Sequence, residues 1–166
     1  MTSPEITIRS ATARDADAIC GIYNPHVRET IVSFEEIEVP ISEMAERITD
    51  VTRSFPWLVA EQNGTIVGYA YAGIFSKRSA YRHAVETTIY VEEAARGRGL
   101  GAELYFALLD RLRVMPFRTA LAVIALPNAA SVALHEKCGF KKVAHLSEAG
   151  FKFGRWIDVG YWQIVL

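Results

Sequence analysis

VEEAARGRGLGA, Val91 to Ala102, stands between the β-branched run HAVETTIYV (His83 to Val91) and a segment that places Leu104, Tyr105, Leu108, Leu109 and Leu112 on one helical face. Strand, glycine loop and helix therefore follow in that order. At such a junction the unpaired N–H groups of the helix start and the positive end of its dipole favour an anion, and glycines let a pyrophosphate approach the main chain. Arg96 and Arg98 add positive charge beside Gly97, Gly99, Leu100 and Gly101. A loop of glycine and arginine also serves as a tight solvated turn, so its neighbours must decide its meaning. It lacks the G-x-x-x-x-G-K-[ST] of a P-loop. It also comes too late in the chain for a Rossmann G-x-G-x-x-G, which follows a first strand.

Working outward, Ile6 to Arg9 reads as a strand, and Thr12 with Asp15 opens a helix running towards Tyr23. Asn24-Pro25 is expected to end that helix, leaving the segment through Phe34 and Pro40 as loop and short helix, a candidate substrate wall. Met44, Ile48 and Val51 have helical spacing within Ser42 to Val51, and Trp57 to Glu61 reads as a strand. Asn63-Gly64, set between WLVAE and TIVGYAYAGIF, is a two-residue hairpin signal because both residues tolerate positive φ. Beyond the glycine loop, Thr119 to Ala125 reads as a buried strand and Asn128 to Lys137 as a helix closed by Gly139. Strands ending in GYWQIVL complete a mixed α/β pattern, with no repeat or linker, expected to be one domain over 1–166.

A chain of 166 residues can bury a substantial core without disulfides or structural metals. The formal net charge of -1 leaves no electrostatic footprint for nucleic acid. Cys20 and Cys138 lie far apart without zinc-ligand spacing, so they read as buried thiols in a reducing compartment; neither is the expected nucleophile, and no metal is expected. The N-terminal MTSPEITIRSATARDAD lacks a secretory signal's basic and apolar regions, and runs such as Ala120 to Leu126 fall far short of the roughly 20 residues a spanning helix needs. A soluble, cytoplasmic protein with no membrane partner is the expectation.

Val91 to Gly101 resembles the acetyl-CoA pyrophosphate motif [RQ]-x-x-G-x-[GA] of the GNAT acetyltransferase superfamily, with Arg96, Gly99 and Gly101 on its fixed positions. NAASVALHEKCGF resembles that superfamily's next motif through Asn128, Ser131, Leu134, Gly139 and Phe140. A narrower resemblance, to the phosphinothricin and methionine sulfoximine N-acetyltransferase branch, runs along nearly the whole chain. It is carried by IYN, VSF, PWLVAE, GYAYAG, RSAYRHAVETTIYV, GLGAELY, VIALPNAASVALHE and FKFGRWIDVGYWQ. The resemblance implies a GNAT fold, with a central mixed, mostly antiparallel twisted sheet flanked by helices, and acetyl-CoA as co-substrate. It implies cofactor contacts from Ile89, Tyr90, Val91, Arg96, Gly97, Arg98, Gly99, Leu100, Gly101, Ala102, Asn128 and Ser131. It makes Glu86 the general base and sets His135 beside it as acid, base or substrate contact. Phe34, Tyr71, Arg78, Tyr81, Arg82, Thr88 and Tyr105 are implied to line a pocket for a small amino-acid-like substrate, in a homodimer.

The chemistry fits those residue types. An α-ammonium cannot attack a thioester, so a base must remove a proton as the amine meets the acetyl carbon. Burial of Glu86 on an apolar strand would raise its pKa towards neutrality, and alternation puts Thr88 on the same face. The resemblance further implies that backbone N–H groups near Tyr90 and Val91 hold the thioester oxygen as it becomes an oxyanion. Arg78 and Arg82 offer planar donor forks to a carboxylate or to phosphinate or sulfone oxygens. Two rivals remain: a protein or peptide N-acetyltransferase with an open groove, and a non-catalytic acyl-CoA-binding regulatory module. The arginine and aromatic set argues against the first, and Glu86 with His135 against the second.

Overall fold

Asn63 and Gly64 turn the chain with φ of 51° and 79°, the left-handed values that a two-residue hairpin of this kind requires. They join β2 (Trp57–Gln62) to β3 (Thr65–Ile74) as antiparallel neighbours. The computed structural model describes residues 6–166. Around the hairpin it sets β1 (Ile6–Ser10), β4 (Ala84–Val91), β5 (Thr119–Leu126), β6 (Lys141–Lys152) and β7 (Arg155–Val165) in the spatial order β1-β2-β3-β4-β5-β7-β6. All neighbouring pairs are antiparallel except β4 and β5. The expected mixed, mostly antiparallel sheet is thus present.

Strand alternation sorts the apolar residues onto two faces. Leu58, Ala60, Ala70 and Ala72 point into a core with α3 (Leu100–Arg113), whose Leu104, Tyr105, Leu108, Leu109 and Leu112 are all fully buried. Each leucine taken from water there contributes about 2 kcal/mol, enough to fix which face of α3 meets the sheet. Trp57, Val59 and Tyr69 point the other way, onto Ile19, Cys20 and Ile22 of α1 (Ala16–Glu29) and Met44 and Ile48 of α2 (Ile41–Thr52). The last helix, α4 (Ala129–Lys137), starts at Asn128, whose Oδ1 accepts the Ser131 N–H at 3.1 Å, and Gly139 follows it at φ 95°.

One expectation fails at Pro25, which lies inside α1 and does not end it. The carbonyl that its missing N–H would have bonded belongs to Gly21, an exposed residue, so water can satisfy it. The residue before the proline is held from outside the helix: Asn24 donates to the Val39 carbonyl and accepts the Val39 N–H, both at 3.0 Å. The helix runs on to Glu29, and residues 30–40 carry no helix of their own.

Candidate active site

The parallel pairing of β4 and β5 covers only Ala84 to Glu86 against Thr119 to Leu121. Past Glu86 the two strands part, and the edge of β4 that faced β5 has no strand partner. Backbone groups left free in this way must find another acceptor or donor. The parting opens two cavities that share Val32, Ile89, Tyr90, Asn128 and Ser131.

The first, of about 460 Å³, is lined by Glu86, Thr88, Tyr71, Phe34 and His135, among others. Alternation puts Glu86 and Thr88 on the wall together, and Tyr71 faces Thr88 across the β3–β4 ladder. No side chain among the described residues bonds the Glu86 carboxylate, and burial lifts its pKa above the ordinary carboxylate value. His135, only 4 % exposed, sits edge-on to Tyr105 and Phe140 at 5.0 and 5.5 Å. Its Nδ1 lies 2.7 Å from the Ser131 carbonyl. A carbonyl can only accept, so Nδ1 carries the proton and the neutral ring keeps its lone pair on Nε2. Desolvation holds the ring's pKa below the ordinary histidine value, against the opposing pull of that hydrogen bond.

The same cavity contains residues that the sequence did not single out. Glu35 accepts from Arg47 and from the Tyr23 hydroxyl, each at 2.8 Å, and Tyr23 is 2.7 Å from the Ser33 hydroxyl. The bonded pairs are 10 or 12 residues apart and link α1, α2 and the irregular segment between them, so no local pattern announces them.

The second cavity, of about 290 Å³, is walled by Val91, Arg96, Gly97, Gly99, Gly101 and Ala102. Gly97 and Gly99 have φ of 77° and 88°, a region that costs any residue with a Cβ. Gly99 also caps α3, which presents its unpaired first-turn N–H groups beside this wall. Arg96 is held by the Val91 carbonyl at 3.0 Å and lies 3.3 Å from His26 Nε2. Positive φ, a bare backbone and a helix start fit a pyrophosphate. His26, also on this wall, is a further residue the sequence gave no sign of.

Six residues expected at the site do not line either cavity. Leu100 is 3 % exposed and packs into the α3 core, because the first turn of the helix needs an apolar anchor on the sheet. Arg98 is exposed and outside the wall. Tyr105 is fully buried on the opposite face of β4 from Glu86; its hydroxyl is 2.6 Å from Thr87 Oγ1, so it supports the cavity and does not line it. Arg78, Tyr81 and Arg82 occupy the exposed turn after β3, where Tyr81 meets Phe75 edge-on at 5.5 Å and Arg82 bonds the Ser79 carbonyl. None of these three lines either cavity in the single chain.

Comparison with known proteins agrees with this geometry. Residues 8–160 match the acetyltransferase (GNAT) domain family. The chain is 41% identical over 164 residues to phosphinothricin N-acetyltransferase of Streptomyces viridochromogenes, covering 97% of this chain and 90% of the relative. It is 36% identical over 162 residues to L-methionine sulfoximine/L-methionine sulfone acetyltransferase of Salmonella typhimurium, covering 97% and 95%. The crystal structure of a GNAT superfamily phosphinothricin acetyltransferase from Sinorhizobium meliloti in complex with acetyl-CoA superposes with a TM-score of 0.93 at 38% identity, over 97% of this chain and 88% of that one. The splayed strands, the glycine wall and this similarity along almost the whole length place the chain in the GNAT family, as an acetyl-CoA-dependent N-acetyltransferase.

Proposed function

We propose that the chain, acting as one domain over 1–166, transfers acetyl from acetyl-CoA to the α-amino group of a small amino-acid-like molecule of the phosphinothricin, methionine sulfoximine or methionine sulfone type. The observation that carries this reading is the junction of the two cavities at Ile89 and Tyr90, with Glu86 on the wall of the first. The glycine wall holds the pyrophosphate, and the thioester then reaches the parting of β4 and β5. Acetyl-CoA supplies an activated acyl group. Glu86, alone or through a water, takes the ammonium proton, and direct attack in a ternary complex needs only proximity and that transfer. The nitrogen–carbon bond forms as the carbon–sulfur bond breaks, and the thiolate leaves. His135, neutral with Nε2 free, is suited to accept a proton or to hold the substrate or a water.

The aromatic lining of Tyr23, Phe34 and Tyr71 favours a small molecule over a peptide. The relatives' names support the same class. Acetylation removes the substrate's positive charge, so detoxification and herbicide resistance are the matching biological roles. A homodimer is supported by exposed apolar side chains on β6 and β7, Leu146 on one face and the Phe151–Trp156 pair on the other. Arg78, Tyr81 and Arg82 would then be available to the neighbouring copy. Two free buried thiols suit the cytoplasm, and no helix among the described residues is long and apolar enough to cross a membrane.

The test is free-thiol release from acetyl-CoA across phosphinothricin, methionine sulfoximine, methionine sulfone, ordinary amino acids and short peptides. Turnover of the phosphorus or sulfur compounds supports the proposal. Turnover of peptides alone favours the protein-acetyltransferase rival, and acetyl-CoA binding without turnover favours the regulatory module.

A further inference from the structure

Lys152 has no place in the chemistry above, yet it is only 2 % exposed. It is the last residue of β6, within FKFGRW, and its ammonium donates to the carbonyls of His26 at 3.3 Å, Thr30 at 2.9 Å and Ser33 at 2.6 Å. Three acceptors are the full complement of a lysine ammonium. Thr30 is the C-cap of α1. The charge therefore sits where helix carbonyls run out of partners and a cation is favoured. Two residues earlier on the same strand, and so on the same face, stands Gly150. A Cβ there would lie 2.4 Å from two atoms of the Phe34 ring, which means that the ring rests on bare backbone.

The segment gripped at these two points is residues 30–35. It has no regular secondary structure, and although Ser33 and Glu35 are tied to Tyr23 and Arg47, Phe34 keeps 43 % of its surface exposed, so its own packing does little to hold its ring. It nevertheless supplies Val32 to both cavities and Ser33, Phe34 and Glu35 to the first. We propose that Lys152 is a positioning residue of the transfer site: from β6 it fixes the carbonyls of the 30–35 segment and, with Gly150, seats Phe34 as the wall of the acceptor cavity. Without the grip, ordering that wall becomes a cost of binding the amine, so the loss appears in KM more than in kcat. This rests on the reading that the first cavity takes the amine.

The experiment is Lys152→Met in the full chain, followed by hydrogen exchange over 30–36 and by steady-state kinetics on the amine that the wild type acetylates best. Exchange in 30–36 should rise, with the first two turns of α1 unchanged. The amine KM should rise about tenfold, with kcat and the acetyl-CoA KM moving less than about threefold. A folded variant that melts lower but keeps wild-type exchange in 30–36 and wild-type amine KM would overturn the proposal, leaving Lys152 as a stabiliser alone. Should Lys152→Met not fold, Gly150→Ala displaces Phe34 from the same strand, and an unchanged amine KM there overturns it equally. If the wild type acetylates nothing in the panel, the proposed function fails, while the exchange measurement still decides whether Lys152 holds the segment.

Discussion

Tyr105→Phe removes one hydroxyl and keeps the ring that packs against His135 and Phe140. That hydroxyl lies 2.6 Å from Thr87 Oγ1, and both residues are buried, at 0% and 4% exposure. Leaving a buried partner unsatisfied costs about 1–3 kcal/mol. Thr87 Oγ1 retains a second contact, donating to the Leu121 carbonyl at 3.3 Å, so the loss should fall near the lower end, at about 1 kcal/mol. For a domain of this size that lowers the melting temperature by roughly 2–4 °C. Because Tyr105 does not line the cavity, the amine KM should stay within about twofold of wild type. Thermal melts and steady-state kinetics on one preparation read both quantities. A tenfold rise in amine KM with an unchanged melting temperature would refute this reasoning, since the hydroxyl would then be touching substrate as the family resemblance implies.

Glu86→Gln tests burial by its effect on stability. Between the unfolded and the raised folded pKa the folded state holds the extra proton, so stability falls as pH rises through that window. The variant should therefore melt higher than wild type at pH 8, and the advantage should vanish below the ordinary carboxylate range; a variant that melts lower at pH 8 contradicts the assignment. Gly99→Ala forces a Cβ into φ 88° and should cost about 1–2 kcal/mol while raising the acetyl-CoA KM and sparing the amine KM. Equal changes in both KM values would place Gly99 outside the cofactor wall. Cys20→Ala and Cys138→Ala should each leave kcat within about twofold, because burial raises both thiol pKa values and no acyl-enzyme is needed. Loss of turnover in a folded variant would show that a thiol takes part.

The frame of the fold was legible where local and tertiary demands agree. The Asn63-Gly64 hairpin, the leucine face of α3 and the Gly139 end of α4 each follow from a short-range rule, and each stands where that rule puts it. Pro25 misled because the hydrogen bond it removes is the one to the Gly21 carbonyl, which is exposed and can turn to water, so the loss does not end the helix. Glu86 and Thr88 could be set on one face by alternation alone. The resemblance assigned Tyr105 and Leu100 to contacts, although helical spacing already set Tyr105 on the apolar face of α3, and both are core. The grip of Lys152 on residues 26 to 33 joins segments separated by well over 100 positions, so no reading of neighbours could reveal it. The same holds for the absence of Arg78 and Arg82 from the cavity, which depends on where an exposed turn lies in space.

The most direct test of Glu86 as the base of the first cavity is thiol release by wild type and Glu86→Gln, side by side, at saturating acetyl-CoA with the best amine. Turnover in the folded variant should fall by about a hundredfold or more, with acetyl-CoA affinity retained. Full turnover in a folded Glu86→Gln would show that another group removes the proton, and the assignment of the site would have to be abandoned.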